Sequence, residues 1–198
     1  MSSPTTRTLI WIPIIHTEVD QGSMSESIRR LYVRKLGKAK WEHHVQTIEN
    51  RWRHIQEEIS ALNLPFEQVR LYQDGLPVCG HELPIVQELA AAGSQNHTLL
   101  LTLIGQGATL TGTESPKLLL EEYALAQQVL VSLGNRRATK AAAGQQEQSK
   151  QLLALRDEFI ARRIDETLES GRIGLLFLGM LHSLEGRLPA DVDVRRLA

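Results

Sequence analysis

Two apolar segments constrain this chain more than anything else in it. Residues 8–15, TLIWIPII, and residues 173–181, IGLLFLGML, offer almost no polar side chain, so neither can be a strand with one wet face. Both fall well short of the roughly 18 apolar residues that a membrane-spanning helix requires. Short, continuous and rich in Ile, Leu and aromatic residues, they fit strands buried on both faces of a parallel sheet. Each stops at a histidine, His16 in one case and His182 in the other. Pro13 interrupts the first run, and His16, Glu18 and Asp20 follow where a signal-peptide cleavage site would need small residues, which predicts a cytoplasmic protein without a membrane segment.

Between these segments, helical and strand patterns alternate. Ser23 and Glu26 have the Ser-x-x-Glu spacing of a capping box, predicting a helix from about Met24. Trp41, Val45, Ile48, Trp52, Ile55, Ile59 and Leu62 then alternate steps of four and three, which places all seven on one helical stripe. Residues 24–62 thus form one long helix, or two joined near Gly37. The stripe can pack on the sheet or zip against a partner, and a homo-oligomer through residues 41–62 is expected on the second reading. Residues 69–73 read as a second strand ending at Asp74-Gly75, followed by a helix near 84–92. A helix through Leu103, a strand closing at Glu114, and a helix opened by Ser115-Pro116 come next.

Residues 134–150 are polar and aperiodic, the signature of a surface loop or a solvated helical arm. Leu152, Leu155, Phe159, Ile160, Ile164 and Leu168 share one helical face, and a short edge strand is predicted over 192–197. This alternation predicts a single α/β domain over residues 1–198, with a small, mostly parallel sheet of four or five strands and helices on both faces.

Composition narrows the function. Twenty-two Lys and Arg against 23 Asp and Glu leave a formal charge of -1, so no global field holds nucleic acid or an anionic membrane. The clusters Arg29-Arg30 with Arg34, Lys35, Lys38 and Lys40, and Arg136-Arg137 with Lys140, read as solvated helix faces. Lone Cys79 can make neither an internal disulfide nor a cysteine-rich zinc site. No Gly-x-Ser-x-Gly elbow, Walker sequence or dinucleotide fingerprint occurs. His43 and His54 lie about 200° from the Trp41 stripe at 100° per residue, on the surface. His97 follows Ser94 at capping distance.

In open α/β sheets, ligands bind beyond the carboxyl ends of the strands. The first polar residues after each strand are therefore the candidates: His16, Glu18 and Asp20, then Asp74, then Glu114, then His182. Histidine with Asp or Glu is a competent set for a divalent metal such as zinc or manganese.

The segment LRDEFIARRIDETLESGRIGLLFLGMLHS resembles the closing helix, strand and histidine of the TraB/Tiki-like proteins and their erythromycin-esterase and ChaN-like relatives, with Gly179-Met180-Leu181-His182 as their Gly-x-x-His motif. At the first strand the corresponding stretch is Pro13-Ile14-Ile15-His16, which keeps the histidine and lacks the glycine. The resemblance implies a metal-dependent, hydrolase-like site in which His16 and His182 face each other, with Glu18 or Glu114 as a further ligand or base. A catalytic zinc-type site needs about three protein ligands and an open position for water. His16, Glu114 and His182 would meet that count, with Glu18 as general base and Arg156 as an anion or transition-state partner, acting on a small-molecule or peptide substrate. Arg156-Asp157 also has a plainer reading as a solvated pair near a helix start. The alternative to an enzyme is a non-catalytic binding or assembly module that docks through its long helix.

Overall fold

The computed structural model describes residues 6–17, 19–134 and 139–197. It is an α/β fold with five strands, β1 (Arg7–Ile14), β2 (Val69–Gln73), β3 (Thr109–Thr111), β4 (Ile173–Gly179) and β5 (Val192–Arg196), in the order β3-β2-β4-β1-β5. Every pairing in the sheet is parallel. The two apolar runs are neighbours: Ile10 lies opposite Leu175, and Ile12 opposite Phe177. The short strand expected near 192–197 is an edge strand, paired with β1 alone.

Because successive strand residues point to opposite faces, the sheet has two cores. Ile10, Ile12, Ile14, Leu71, Leu175 and Phe177 face α2 (Lys38–Ala61), α3 (Glu82–Ala91) and α4 (Gln95–Gly105). Leu9, Tyr72, Leu176 and Leu178 face Ile160, Ala161, Ile164 and Leu168 of α6 (Thr139–Thr167). Both faces are dry, which is why β1 and β4 carry no alternating polar residues.

The expected 24–62 segment is two helices. α1 (Ser25–Leu36) ends at Gly37, whose φ of 90° permits the turn into α2. α1 has Met24 at its N-cap, which makes no side-chain capping bond, and the chain enters it through a 3-10 turn over Val19–Met24; the side chain of Ser23, and with it the expected Ser23–Glu26 box, lies outside what the structure describes. Of the heptad stripe, Ile48, Trp52, Ile55 and Ile59 lie in the chain's own core, with Trp52 Nε1 donating to the Ile15 carbonyl at 3.2 Å. Trp52 and Ile55 are therefore unavailable as a subunit seam, and Trp41 and Val45 are the half-buried end of the stripe.

α5 (Pro116–Gly134) and α6 pack against each other. The polar 134–150 stretch takes its helical alternative from Thr139 onward, and residues 135–138 lie outside the described residues. Among the described residues, no helix is long and apolar enough to cross a membrane.

Candidate functional site

The parallel sheet brings the carboxyl ends of β1, β2 and β4 together, and a charged cluster sits there. Its centre is Asp74, the first residue after β2 and almost fully buried. One carboxylate oxygen, Oδ2, accepts the Gly179 N–H at 2.9 Å and lies 3.2 Å from His16 Nε2. The other, Oδ1, accepts Arg156 Nη2–H at 2.8 Å and lies 3.6 Å from His182 Nε2. The two strand-end histidines thus flank one carboxylate.

Gly179 shows why this arrangement needs a glycine at the end of β4. A Cβ there would lie 2.8 Å from Asp74 Oδ2, closer than real side chains come. The glycine lets the Asp74 carboxylate reach the strand backbone, which gives the Gly-x-x-His string a packing reason.

Glu114, fully buried after β3, accepts Arg156 Nε–H at Oε2 and Nη2–H at Oε1, both at 2.6 Å, and the Gly75 N–H at Oε1 at 2.8 Å. Arg156 Nη1 pairs with Glu122 on α5. All three guanidinium nitrogens thus face carboxylates. Arg156 is a buried organiser in mid-helix, which rules out the solvated pair near a helix start and leaves no nitrogen unpaired for an anionic substrate. Its neighbour Asp157 backs His182, with Oδ1 2.6 Å from His182 Nδ1 and Oδ2 accepting the Ser183 N–H at 3.1 Å.

These contacts set the protonation states. Burial works against a charged His182, but Asp157 and Asp74, one at each nitrogen, hold its pKa up to about 9. Burial would raise Asp74; His16 and His182 outweigh it and hold this carboxyl well below the usual range. His16 moves upward, burial opposing and Asp74 favouring the imidazolium. Burial pushes Glu114 upward against the pull of Arg156.

Asp74, Glu114 and His182 each present a ligand atom, and these atoms lie within 4.8 Å of one another, so the cluster could hold a metal ion. This changes the expected ligand set of His16, Glu114 and His182, because Asp74 takes the place given to His16. His16 instead stands at the mouth, its side chain 39% exposed. Glu18, the expected base, lies outside the described residues. A cleft of about 560 Å³ opens over the cluster, walled by Ile14, Ile15, Leu119, Leu153 and Met180, with His44 at its edge.

A separate network holds the loop after β1. Asp20 accepts the Thr17 N–H and Oγ1–H at 2.8 Å each, and Ser94, the N-cap of α4, donates to its other oxygen. Ser94 Oγ also lies 2.7 Å from His97 Nδ1. Burial would raise Asp20, but His97, Ser94 and Thr17 together bring its pKa down to about 2. The Ser-His-Asp composition is not a nucleophile triad, because the hydroxyl is fully buried between the other two groups and caps a helix.

Sequence reasoning found four of the cluster's residues, His16, Glu114, Arg156 and His182. It placed Asp74 at a strand end without making it the hub, and it missed the part of Asp157, whose only signal was its adjacency to Arg156. No family model matches this chain, and neither does any curated protein or solved structure.

Proposed function

We propose that the strand-end cluster is the centre of a hydrolase using a divalent metal, zinc or manganese, held by Asp74, Glu114 and His182, in keeping with the TraB/Tiki-like resemblance. The observation that supports this is the convergence of three buried ligand atoms from three strand ends beneath an open cleft. Two carboxylate oxygens and one imidazole are a donor set that suits such ions. When bound, the ion would polarise the substrate carbonyl and lower the pKa of a water.

The chain's own groups have definable parts. Asp157 fixes the His182 ring through Nδ1, so that Nε2 is the nitrogen turned to the cluster, and a bound ion would take the place of the Nε2 proton. Asp74 orients His16 through Nε2, leaving Nδ1, which makes no hydrogen bond among the described residues, to exchange protons at the mouth. In hydrolysis the oxygen of water bonds to the acyl carbon and the bond from that carbon to the leaving oxygen breaks. The proton that His16 takes from the water passes to the departing alcohol. Arg156 is a positioning residue that keeps Asp74 and Glu114 together.

A second reading, metal-free acid–base hydrolysis at the same cleft, is favoured by one observation. Arg156 Nη2 already bridges Asp74 Oδ1 and Glu114 Oε1, as a cation between the two carboxylates. Elemental mass spectrometry on untagged protein, reconstituted with zinc or manganese and dialysed, separates the two. Near one metal per chain, retained by His16→Ala and lost by Asp74→Asn and His182→Ala, is the expected result. Metal absent from the unmodified protein after reconstitution would overturn the metal-dependent reading in favour of the metal-free one.

The lone, exposed thiol of Cys79 supports a reducing, cytoplasmic location. A protein partner on the long helix is proposed only for its Trp41–Val45 end, since Ile48, Trp52, Ile55 and Ile59 are in the core; static light scattering of Trp41→Asp against the unmodified chain tests it, and an unchanged mass would count against it.

A further inference from the structure

The cleft over Asp74 does not end at the charged cluster. A second hollow of about 700 Å³ shares Asp20, Met24, Ile28, Gly75, Leu119 and Glu122 with it and continues between α1 and α5. Past Leu119 and Glu122 its α5 wall is Tyr123, Leu125, Ala126, Val129 and Leu130, and Ser149 of α6 also lines it. From Leu119 to Leu130 that wall runs about 16 Å at 1.5 Å per residue. The trough is therefore long and apolar, with its charges, Asp20 and Glu122, confined to the junction with the cluster.

Two further observations indicate that something apolar belongs here. α1 buries none of its residues within the chain, yet Ile28, with Met24 just ahead of the helix, lines the trough. At the cleft mouth, immediately before His182, Met180 and Leu181 are 61% and 84% exposed. The acidic junction also selects the ligand's head. Asp20 is held by Thr17 and Ser94 and Glu122 by Arg156, so no described residue shared by the two hollows offers a cation to a free carboxylate, whereas a neutral acyl carbonyl needs none.

We propose that the trough is an acyl-chain subsite, and that the substrate is a neutral ester of a straight-chain, medium-length acid. This rests on the hydrolase reading of the Asp74 cluster. The carbonyl sits at the His16 end and the chain lies along α5 over Leu119 and Ala126. Water cleaves the acyl–oxygen bond to give the alcohol and the free acid, and the acid, which finds no cation at the junction, leaves.

The test is a series of p-nitrophenyl esters, acetate, butyrate, octanoate and dodecanoate, with the unmodified protein and Ala126→Trp, whose indole would fill the middle of the trough. Nile red displacement by decanol gives a readout independent of turnover. A gain in kcat/KM of up to about fourfold per methylene as far as octanoate is expected from burying each CH₂. Ala126→Trp should remove at least about tenfold of that gain, read as the ratio of octanoate to acetate kcat/KM. Hydrolysis that ignores chain length would overturn the subsite and leave the hydrolase standing. No hydrolysis of any ester, with decanol still displacing Nile red from the unmodified protein and not from Ala126→Trp, would overturn the hydrolase and keep the trough as a site for neutral chains. Absence of both activities would overturn the proposal.

Discussion

The sheet has a buried arginine at each end, and the two are handled differently. At the amino edge, Arg7 donates to Asp191 through Nε and Nη2, to Asp165 through Nη2, and to the Asp165 and Leu168 carbonyls through Nη1. That clamp joins β1, the end of α6 and the start of β5, and its acids remain 50% and 41% exposed. At the carboxyl edge, Arg156 meets Asp74 and Glu114 at 5% and 0% exposure, with Asp157 and His182 buried beside them. A fold can close its sheet with the first kind of network at little desolvation cost. The second removes several ionisable groups from water together, which is costly for stability alone and makes this edge the candidate site.

If this contrast is right, removing each arginine should give unequal losses. Arg156→Met leaves Asp74 and Glu114 buried without their cation, and should lose about 3–5 kcal/mol of unfolding free energy in urea. Adding Glu114→Gln should recover part of that loss, because one stranded charge is gone; a double variant no more stable than the single would break the reading of an ion cluster. Arg7→Met strands acids that water can still reach, so its cost should be about 2 kcal/mol, from lost hydrogen bonds and packing. Equal losses at the two edges would erase the distinction.

Asp20 sharpens the picture within the carboxyl edge, because its carboxylate is spent on holding the loop after β1 and not on the Arg156 cluster. Its folded pKa, about 2, lies below the ordinary carboxylate value, so its contribution is fully present above about pH 4 and is lost as pH falls through 2. The size of that contribution is about 2 kcal/mol. Stability of Asp20→Asn should be lower near neutrality and should converge on the unmodified protein as the pH approaches 2. A constant offset at every pH would show that the ionised carboxylate is not what holds the loop.

What could be read from the residues follows the same division. Continuous apolar runs located β1 and β4, because a strand buried on both faces imposes them, and the turn signals around them located the shorter strands; the break at Gly37 was one of two alternatives the residues left open. His16, Glu114 and His182 were legible as strand-end residues, since a parallel sheet delivers all its carboxyl ends to one edge. Arg156-Asp157 was harder. The polar residues 139–150 hide the first turns of α6, so the pair reads as a helix start when it is mid-helix and buried. Asp74 was underrated for a related reason: a carboxylate's partners on β1, β4 and α6 are set by strand order, and nothing local in its sequence reports that β4 inserts between β1 and β2. The stripe from Trp41 onward fixed which face of α2 is apolar, but whether the sheet or a partner covers it depends on the same long-range order.

The smallest effects come from the glycines that bracket β4, one near each edge. Gly171 has a φ of 75° and open space around its missing Cβ, so the objection to a side chain is backbone conformation alone. Gly171→Ala should cost about 1–2 kcal/mol. Gly171→Asn should cost less, because Asn tolerates the left-handed region better than Ala. At Gly179 the objection is the 2.8 Å approach of Asp74 Oδ2. Gly179→Ala should therefore cost a similar amount by crowding, about 1–2 kcal/mol, and Gly179→Asn should be no better. Only the Gly179 variants should also lower metal retention or ester hydrolysis, because only there does the new side chain displace the carboxylate that His16, Arg156 and His182 share. Asn rescue at both positions, or at neither, would mean that the two ends of β4 are constrained by the same thing and that the carboxyl edge has no special claim on its glycine.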